Sequence, residues 1–169
     1  MWDRIESLSA KLGQDLLANQ AWLATAESCT GGLLAGAVTA VAGSSQWFDR
    51  GWVTYSNHAK RDQLGVDASI LNQHGAVSAE VAQAMAAGVL RQAPHATLSL
   101  ATTGIAGPGG ATSGKPVGLV WFGFGMRQPD GGIHVHSESV VFPGDRQAVR
   151  LSAVAYALEH AIRMLPDMR

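Results

Sequence analysis

Apolar residues recur every three or four positions from Ile5 to Leu17, at Ile5, Leu8, Leu12, Leu16 and Leu17. That spacing predicts an amphipathic helix with one face against a core. The short apolar run Trp22 to Ala26 then meets the turn Ser28-Cys29-Thr30-Gly31-Gly32, and a second apolar stretch runs from Leu33 to Ala42. Strand, turn and helix are the expected order. Gly43-Ser44-Ser45 breaks that helix, and Phe48 to Tyr55 reads as the next strand. Asn57 is the expected N-cap of a short helix that carries Lys60 and Leu64 and stops at Gly65. Ser78 is the expected cap of an alanine-rich helix to Leu90, with Val81, Met85 and Val89 on one face.

Beyond that helix the period shortens. Ala96 to Thr103 reads as a buried strand running into the glycine-rich loop Gly104 to Gly114. Val117 to Phe124 and Ile133 to Phe142 read as two more strands, and the turn Gln128-Pro129-Asp130-Gly131-Gly132 suits a hairpin between them. A last helix is expected from Asp145 to Met164. Strands interleaved with helices, plus one hairpin, predict an α/β fold: a three-layer α/β/α arrangement with a mixed sheet of about five strands and helices on both faces. No internal repeat is visible, and residues 1–169 are expected to form one domain.

Composition sharpens this picture mainly by exclusion. Hydrophobic residues make up 47% and charged residues 15%, which suits a packed globular core. Lys and Arg total 12 against 13 Asp and Glu, with no basic run, so a nucleic-acid partner is not expected. The longest apolar stretch is interrupted by Gly36 and Thr39 and falls far short of the roughly 20 residues that span a bilayer, so no membrane partner is expected either. The start, Met1-Trp2-Asp3-Arg4-Ile5-Glu6, lacks the pattern of an export signal. One cysteine allows no internal disulfide and no Cys-x-x-Cys knuckle. A cytoplasmic protein without metal or cofactor is the expectation.

The candidate chemistry centres on Ser28. A serine between a strand and a helix presents its hydroxyl where backbone N–H groups are free to stabilise negative charge. Gly31 and Gly32 would let a substrate approach the backbone. The same serine also reads as a plain helix N-cap, and the heptapeptide alone favours that reading. The segment Val53-Thr54-Tyr55-Ser56-Asn57-His58-Ala59-Lys60 shifts the balance, in a chain whose only other lysines are Lys11 and Lys115.

Glu27-Ser28-Cys29-Thr30-Gly31-Gly32, Val53-Thr54-Tyr55-Ser56-Asn57-x-x-Lys60, His74-Gly75-Ala76-Val77-Ser78, Thr103-Gly104-Ile105-Ala106-Gly107-Pro108 and Lys115-Pro116-Val117-Gly118 occur in this order. They resemble the CinA C-terminal, or PncC, family of nicotinamide-nucleotide amidases, in its stand-alone form, over nearly the whole chain. The resemblance implies deamidation of nicotinamide mononucleotide, with a serine nucleophile at Ser28, a tyrosine at Tyr55 and a lysine base at Lys60. A neutral lysine can take a serine proton, and Tyr55 would relay that proton or hold the amine in line. The oxyanion would rest on N–H groups near Thr30 or in the loop from Thr103 and Gly104 to Gly107. For the phosphate, the glycine-rich loop, the helix start near Gly31, and Arg146 with Arg150 are the candidates. Position 58, often acidic in the family, is His58 here.

Rival readings are set beside this one. A non-catalytic competence or damage-response accessory domain, or an amidase of another small pyridine amide, are the alternative functions. Gly109 to Lys115 fits the start of a phosphate-binding loop, but Pro116 stands where Ser or Thr is needed. Cys29, at a helix start, is a rival nucleophile if its thiol is acidified, and otherwise a small buried thiol. His134, His136 and Glu138 alternate onto one strand face, and a solvated face is preferred there to a metal site. Trp47 and Trp52 near the site are candidate interface residues for a homodimer.

Overall fold

The computed structural model describes residues 1–168. Its helices are α1 (Trp2–Ala18), α2 (Leu33–Thr39), α3 (Asn57–Leu64), α4 (Ala68–His74), α5 (Ala79–Gln92) and α6 (Arg146–Met164). The strands are β1 (Leu23–Glu27), β2 (Phe48–Val53), β3 (Leu98–Gly104), β4 (Leu119–Arg127) and β5 (Ile133–Val141). They form one sheet in the order β2-β1-β3-β4-β5, with β2, β1 and β3 parallel and β4 and β5 antiparallel to their neighbours. Helices α1, α2 and α6 cover one face and α3, α4 and α5 the other, so the expected three-layer mixed α/β fold is what the chain adopts.

Strand alternation explains how the two faces are built. In Phe122-Gly123-Phe124-Gly125 of β4, both phenylalanines are fully buried in the core beneath α6. The glycines face α5, where a Cβ on Gly123 would come within 2.0 Å of the Ala82 carbonyl oxygen. Small residues on both sides let that helix lie close to the strand. Interior strand β1 is buried along its whole length: Leu23 packs toward α1 and α2, while Ala24 and Ala26 pack toward α5.

Several local expectations are corrected. The N-cap of α3 is Ser56 rather than Asn57: the Ser56 side chain accepts the Ala59 amide, while Asn57 is already helical. Helix α2 ends at Thr39, earlier than the apolar run to Ala42 implies. Helix α4 was not anticipated, although Asp67 caps it by accepting the Ser69 amide. Trp47 is not an interface residue. It is 2% exposed and lies against α1, where a Cβ on Gly13 would meet its indole at 2.7 Å. Trp52 is partly buried against the α5-side core. Among the described residues no helix is long and apolar enough to cross a membrane.

The topology sets the location of the site. The chain leaves β1 through α2 on one face and reaches β3 through α3, α4 and α5 on the other. The carboxyl ends of β1 and β3 therefore border a switch point, where open α/β sheets place their ligands. Glu27 pairs in register with Thr102, so Ser28 and Thr103 emerge side by side at that edge.

Candidate active site

Two neighbouring residues leave β1 on opposite faces. Glu27 turns toward α2, where its carboxylate accepts the Leu34 amide at 2.8 Å, the Ala35 amide at 3.1 Å and the Thr30 hydroxyl at 2.7 Å. The cap of α2 is thus supplied by Glu27, and a carboxylate suits the positive end of a helix dipole. Ser28 is not an N-cap. The capping position is Gly32, without a side-chain bond, and Ser28 Oγ instead lies 3.0 Å from Lys60 Nζ.

Lys60 reaches Ser28 because α3 starts straight after β2 and directs its first turn back over the strand ends. Its side chain is 1% exposed, and its amine donates to Ser28 Oγ and, at 3.1 Å, to the Tyr55 carbonyl. Among the described residues no carboxylate neutralises it, and burial pulls its pKa down from 10.5 to about 8. Ser28 Oγ itself faces the Tyr55 carbonyl at 3.4 Å. The relay expected through the tyrosine hydroxyl is not the arrangement here: the amine meets Ser28 directly, and Tyr55 contributes its backbone oxygen. The residue is 58% exposed, and its hydroxyl accepts from Arg146 Nη2 at 3.0 Å.

These groups line a cleft of about 310 Å³ that also includes Thr103, Gly104, Gly107 and Arg146. Arg146 spans it, donating to the Gly107 carbonyl at 2.7 Å as well as to Tyr55. Lys60 and Arg146 are the charged side chains among the lining residues, and no carboxylate stands with them.

Other sequence candidates have structural partners, whether or not they line the cleft. Thr30 is fully buried, bonded to Glu27 and Thr102. Gly31 and Gly32 have φ of +58° and +104°, which the turn geometry favours in glycine, and neither is among the residues that line the cleft. The helix start near Gly31 is not an open anion site, since Glu27 holds the Leu34 and Ala35 amides. Arg150 donates to the Cys29 and Thr30 carbonyls, which fixes the turn and takes its guanidinium away from the cleft. Thr103 bonds the Ala76 carbonyl, and Gly104 lies where a Cβ would strike the Leu119 carbonyl at 2.7 Å. Cys29 is buried, and its thiol is pushed up to about 12, chiefly by burial, which removes it as a thiolate rival. His58 pairs with Asp62 on the exposed side of α3. Lys115 donates to the His74 carbonyl at 2.6 Å, a structural tie unlike the lysine of a phosphate-binding loop.

The histidine-bearing strand face is not simply solvated. His134 is exposed, but His136 and Glu138 are half-buried and meet His160 of α6. Neither Glu27 nor His160 was singled out from sequence. A glutamate next to a strand-turn-helix serine is a usable signal for the first; no local signal marks the second.

Fold and site together define a class: a three-layer α/β protein with a buried serine–lysine couple at the carboxyl end of its parallel strands. The chain belongs to the CinA C-terminal domain family, whose description matches residues 5–165. It is 51% identical over 160 residues to the nicotinamide-nucleotide amidohydrolase PncC of Enterobacter agglomerans, covering 95% of this chain and 94% of that one. It is 49% identical to the Escherichia coli protein of the same name over 152 residues, covering 90% and 89%. Among solved structures, a CinA superfamily protein from Klebsiella pneumoniae superposes with a TM-score of 0.89 at 39% identity, covering 96% of this chain and 98% of that one.

Proposed function

We propose that the chain hydrolyses the carboxamide of nicotinamide mononucleotide to nicotinate mononucleotide and ammonia, through an acyl-enzyme on Ser28 with Lys60 as general base. The observation that carries this is the 3.0 Å contact of a buried, unneutralised amine, held near pKa 8, with a cleft-facing serine hydroxyl. The names of the relatives supply the substrate class.

In this reaction the neutral Lys60 amine takes the Ser28 proton as Oγ attacks the carboxamide carbon. The lysine ammonium then protonates the departing amine, the carbon–nitrogen bond breaks, and ammonia leaves a nicotinoyl ester. Water, losing its proton to Lys60, attacks that ester, and Ser28 recovers its proton as the carboxylate departs. Positioned proton transfer of this type contributes about 10²- to 10⁴-fold. The Tyr55 carbonyl holds both partners in line, and Arg146 meets the nucleotide phosphate at the mouth of the cleft. The Arg146 guanidinium, with no carboxylate among the cleft's lining residues, favours an amide that carries an anionic group over one without.

Incubation of the protein with nicotinamide mononucleotide, with ammonia assay and mass spectrometry of the quenched protein, tests the proposal. Ammonia release that persists in the presence of chelator, with a nicotinoyl adduct on Ser28, is expected. Full activity in Ser28→Ala would overturn the mechanism. Absence of ammonia release from wild type would remove the amidase reading and favour an accessory domain.

A further inference from the structure

A second cluster of ligating side chains lies away from the cleft, where β5 meets the end of α6. His136 and Glu138 are two apart on β5 and share a face, and His160 comes across from the helix. His136 Nε2 and His160 Nε2 are 3.0 Å apart, and Glu138 Oε2 stands 2.6 Å from His160 Nδ1. The Tyr156 hydroxyl donates to the same carboxylate oxygen at 3.3 Å. One potential ligand atom from each of the three residues lies within 4.8 Å of the other two. Strand β5 is the third from β1 across the sheet, roughly 14 Å away at about 4.8 Å per strand.

The hydrogen-bond chemistry fixes the protons. A carboxylate only accepts, so His160 Nδ1 carries its proton and Nε2 presents a lone pair, which the His136 Nε2–H then meets. His136 need only carry its proton on Nδ1 rather than Nε2 to offer a second lone pair. The Phe124 ring, stacked on His160 with centroids 3.9 Å apart, holds that imidazole in place. A carboxylate behind one histidine is the arrangement that orients imidazole ligands in metal sites.

We propose that His136 and His160 form a site for a divalent transition metal of the zinc type, with Glu138 orienting His160 from behind and water completing the coordination. Imidazole pairs suit zinc, nickel and copper. Two nitrogens on one tetrahedral zinc stand roughly 3.3 Å apart, given bonds of about 2.0–2.1 Å, so the rings need only rock apart slightly. Arg163 Nη2, 3.4 Å from His160 Nδ1, adds an opposing positive charge and makes the site weaker than a closed four-ligand one. Bound metal ties the end of α6 to the edge strand, so its effect is on stability and not on the amide chemistry.

The test uses chelator-stripped full-length protein titrated with zinc chloride, read by calorimetry, by thermal unfolding and by nitrogen spectra of labelled histidine. One zinc per chain is expected, with a raised unfolding midpoint and shifted His136 and His160 Nε2 signals. Glu138→Gln should lower affinity about 10- to 100-fold. His136→Gln and His160→Gln should each lower it further, while His134→Gln, exposed on the same strand, leaves it unchanged. The unfolding midpoint in chelator checks that each variant folds. No zinc uptake, or uptake equal in wild type and both histidine variants, would overturn the site, as would unshifted Nε2 signals in wild type. Ammonia release plays no part in these readouts, so failure of the amidase reading leaves them unaffected.

Discussion

Glu27 and Lys60 are both ionisable, both buried to 1% exposure, and both within one residue's reach of Ser28, yet the fold treats them in opposite ways. Glu27 receives two backbone amides and a hydroxyl, so its charge is satisfied from three directions. Among the described residues Lys60 receives no counter-charge, only a serine hydroxyl and one carbonyl. The first arrangement anchors the turn that aims Ser28. The second leaves an amine poised to lose its proton, at a cost to stability. Rigid support and chemical readiness are divided between Glu27, at the end of β1, and Lys60, which α3 brings to the opposite side of Ser28.

The comparison breaks most visibly at Ser28. Ser28→Ala should lower kcat for nicotinamide mononucleotide by about 10⁴-fold or more, with folding stability changed by less than about 0.5 kcal/mol. A large loss of stability would mean that the serine is structural. Lys60→Met should cost about 10²- to 10⁴-fold in rate while raising stability by about 1–2 kcal/mol in denaturant titrations at neutral pH. Destabilisation in that variant would show that the buried amine is better compensated than its contacts indicate.

Glu27→Gln should do the reverse. One amide or hydroxyl loses its acceptor, for about 1–3 kcal/mol, and the unfolding midpoint falls by several degrees with a smaller loss of activity through the displaced turn. The rate of the wild type should rise with pH through about 8, because only neutral Lys60 accepts the serine proton. The sign for stability is the same. Lys60 titrates near 8 when folded and 10.5 when unfolded, so between these values the unfolded chain holds more protons. The penalty is complete below about pH 8 and is relieved as pH rises toward 10.5, apart from other titrating groups. The smallest effect is expected for Tyr55→Phe, less than about 10-fold, since the carbonyl that holds Lys60 and Ser28 is retained; a loss above about 10² would restore the hydroxyl as a proton carrier.

Much of this was legible along the chain. Apolar runs and periods, caps and turn residues gave every strand and five of the six helices. Ser78 as the cap of α5 and Gly65 as the stop of α3 follow from local chemistry, so local sequence was enough. Helix α4 escaped because its seven residues, Ala68 to His74, are too few to show an apolar period. The order of the motifs gave the family and brought Ser28, Tyr55 and Lys60 under suspicion together, while Arg146 was named only as a cation for the phosphate.

What the sequence could not determine is which atom of each residue does the work. Tyr55 was named for its hydroxyl, but β2 and α3 turn its carbonyl inward. Arg146 and Arg150 sit one helical turn apart, yet one spans the cleft and the other is consumed by carbonyls of the Ser28 turn. Glu27 looked like an ordinary strand-end acid until α2 brought two amides to it, and His136 met His160 only because β5 and α6 pack together. Residue types and spacings are set by the chain and report its local preferences. Burial, partner and proton affinity arise from contacts between elements distant in sequence, and those contacts come into being only when the sheet and its two helical layers close.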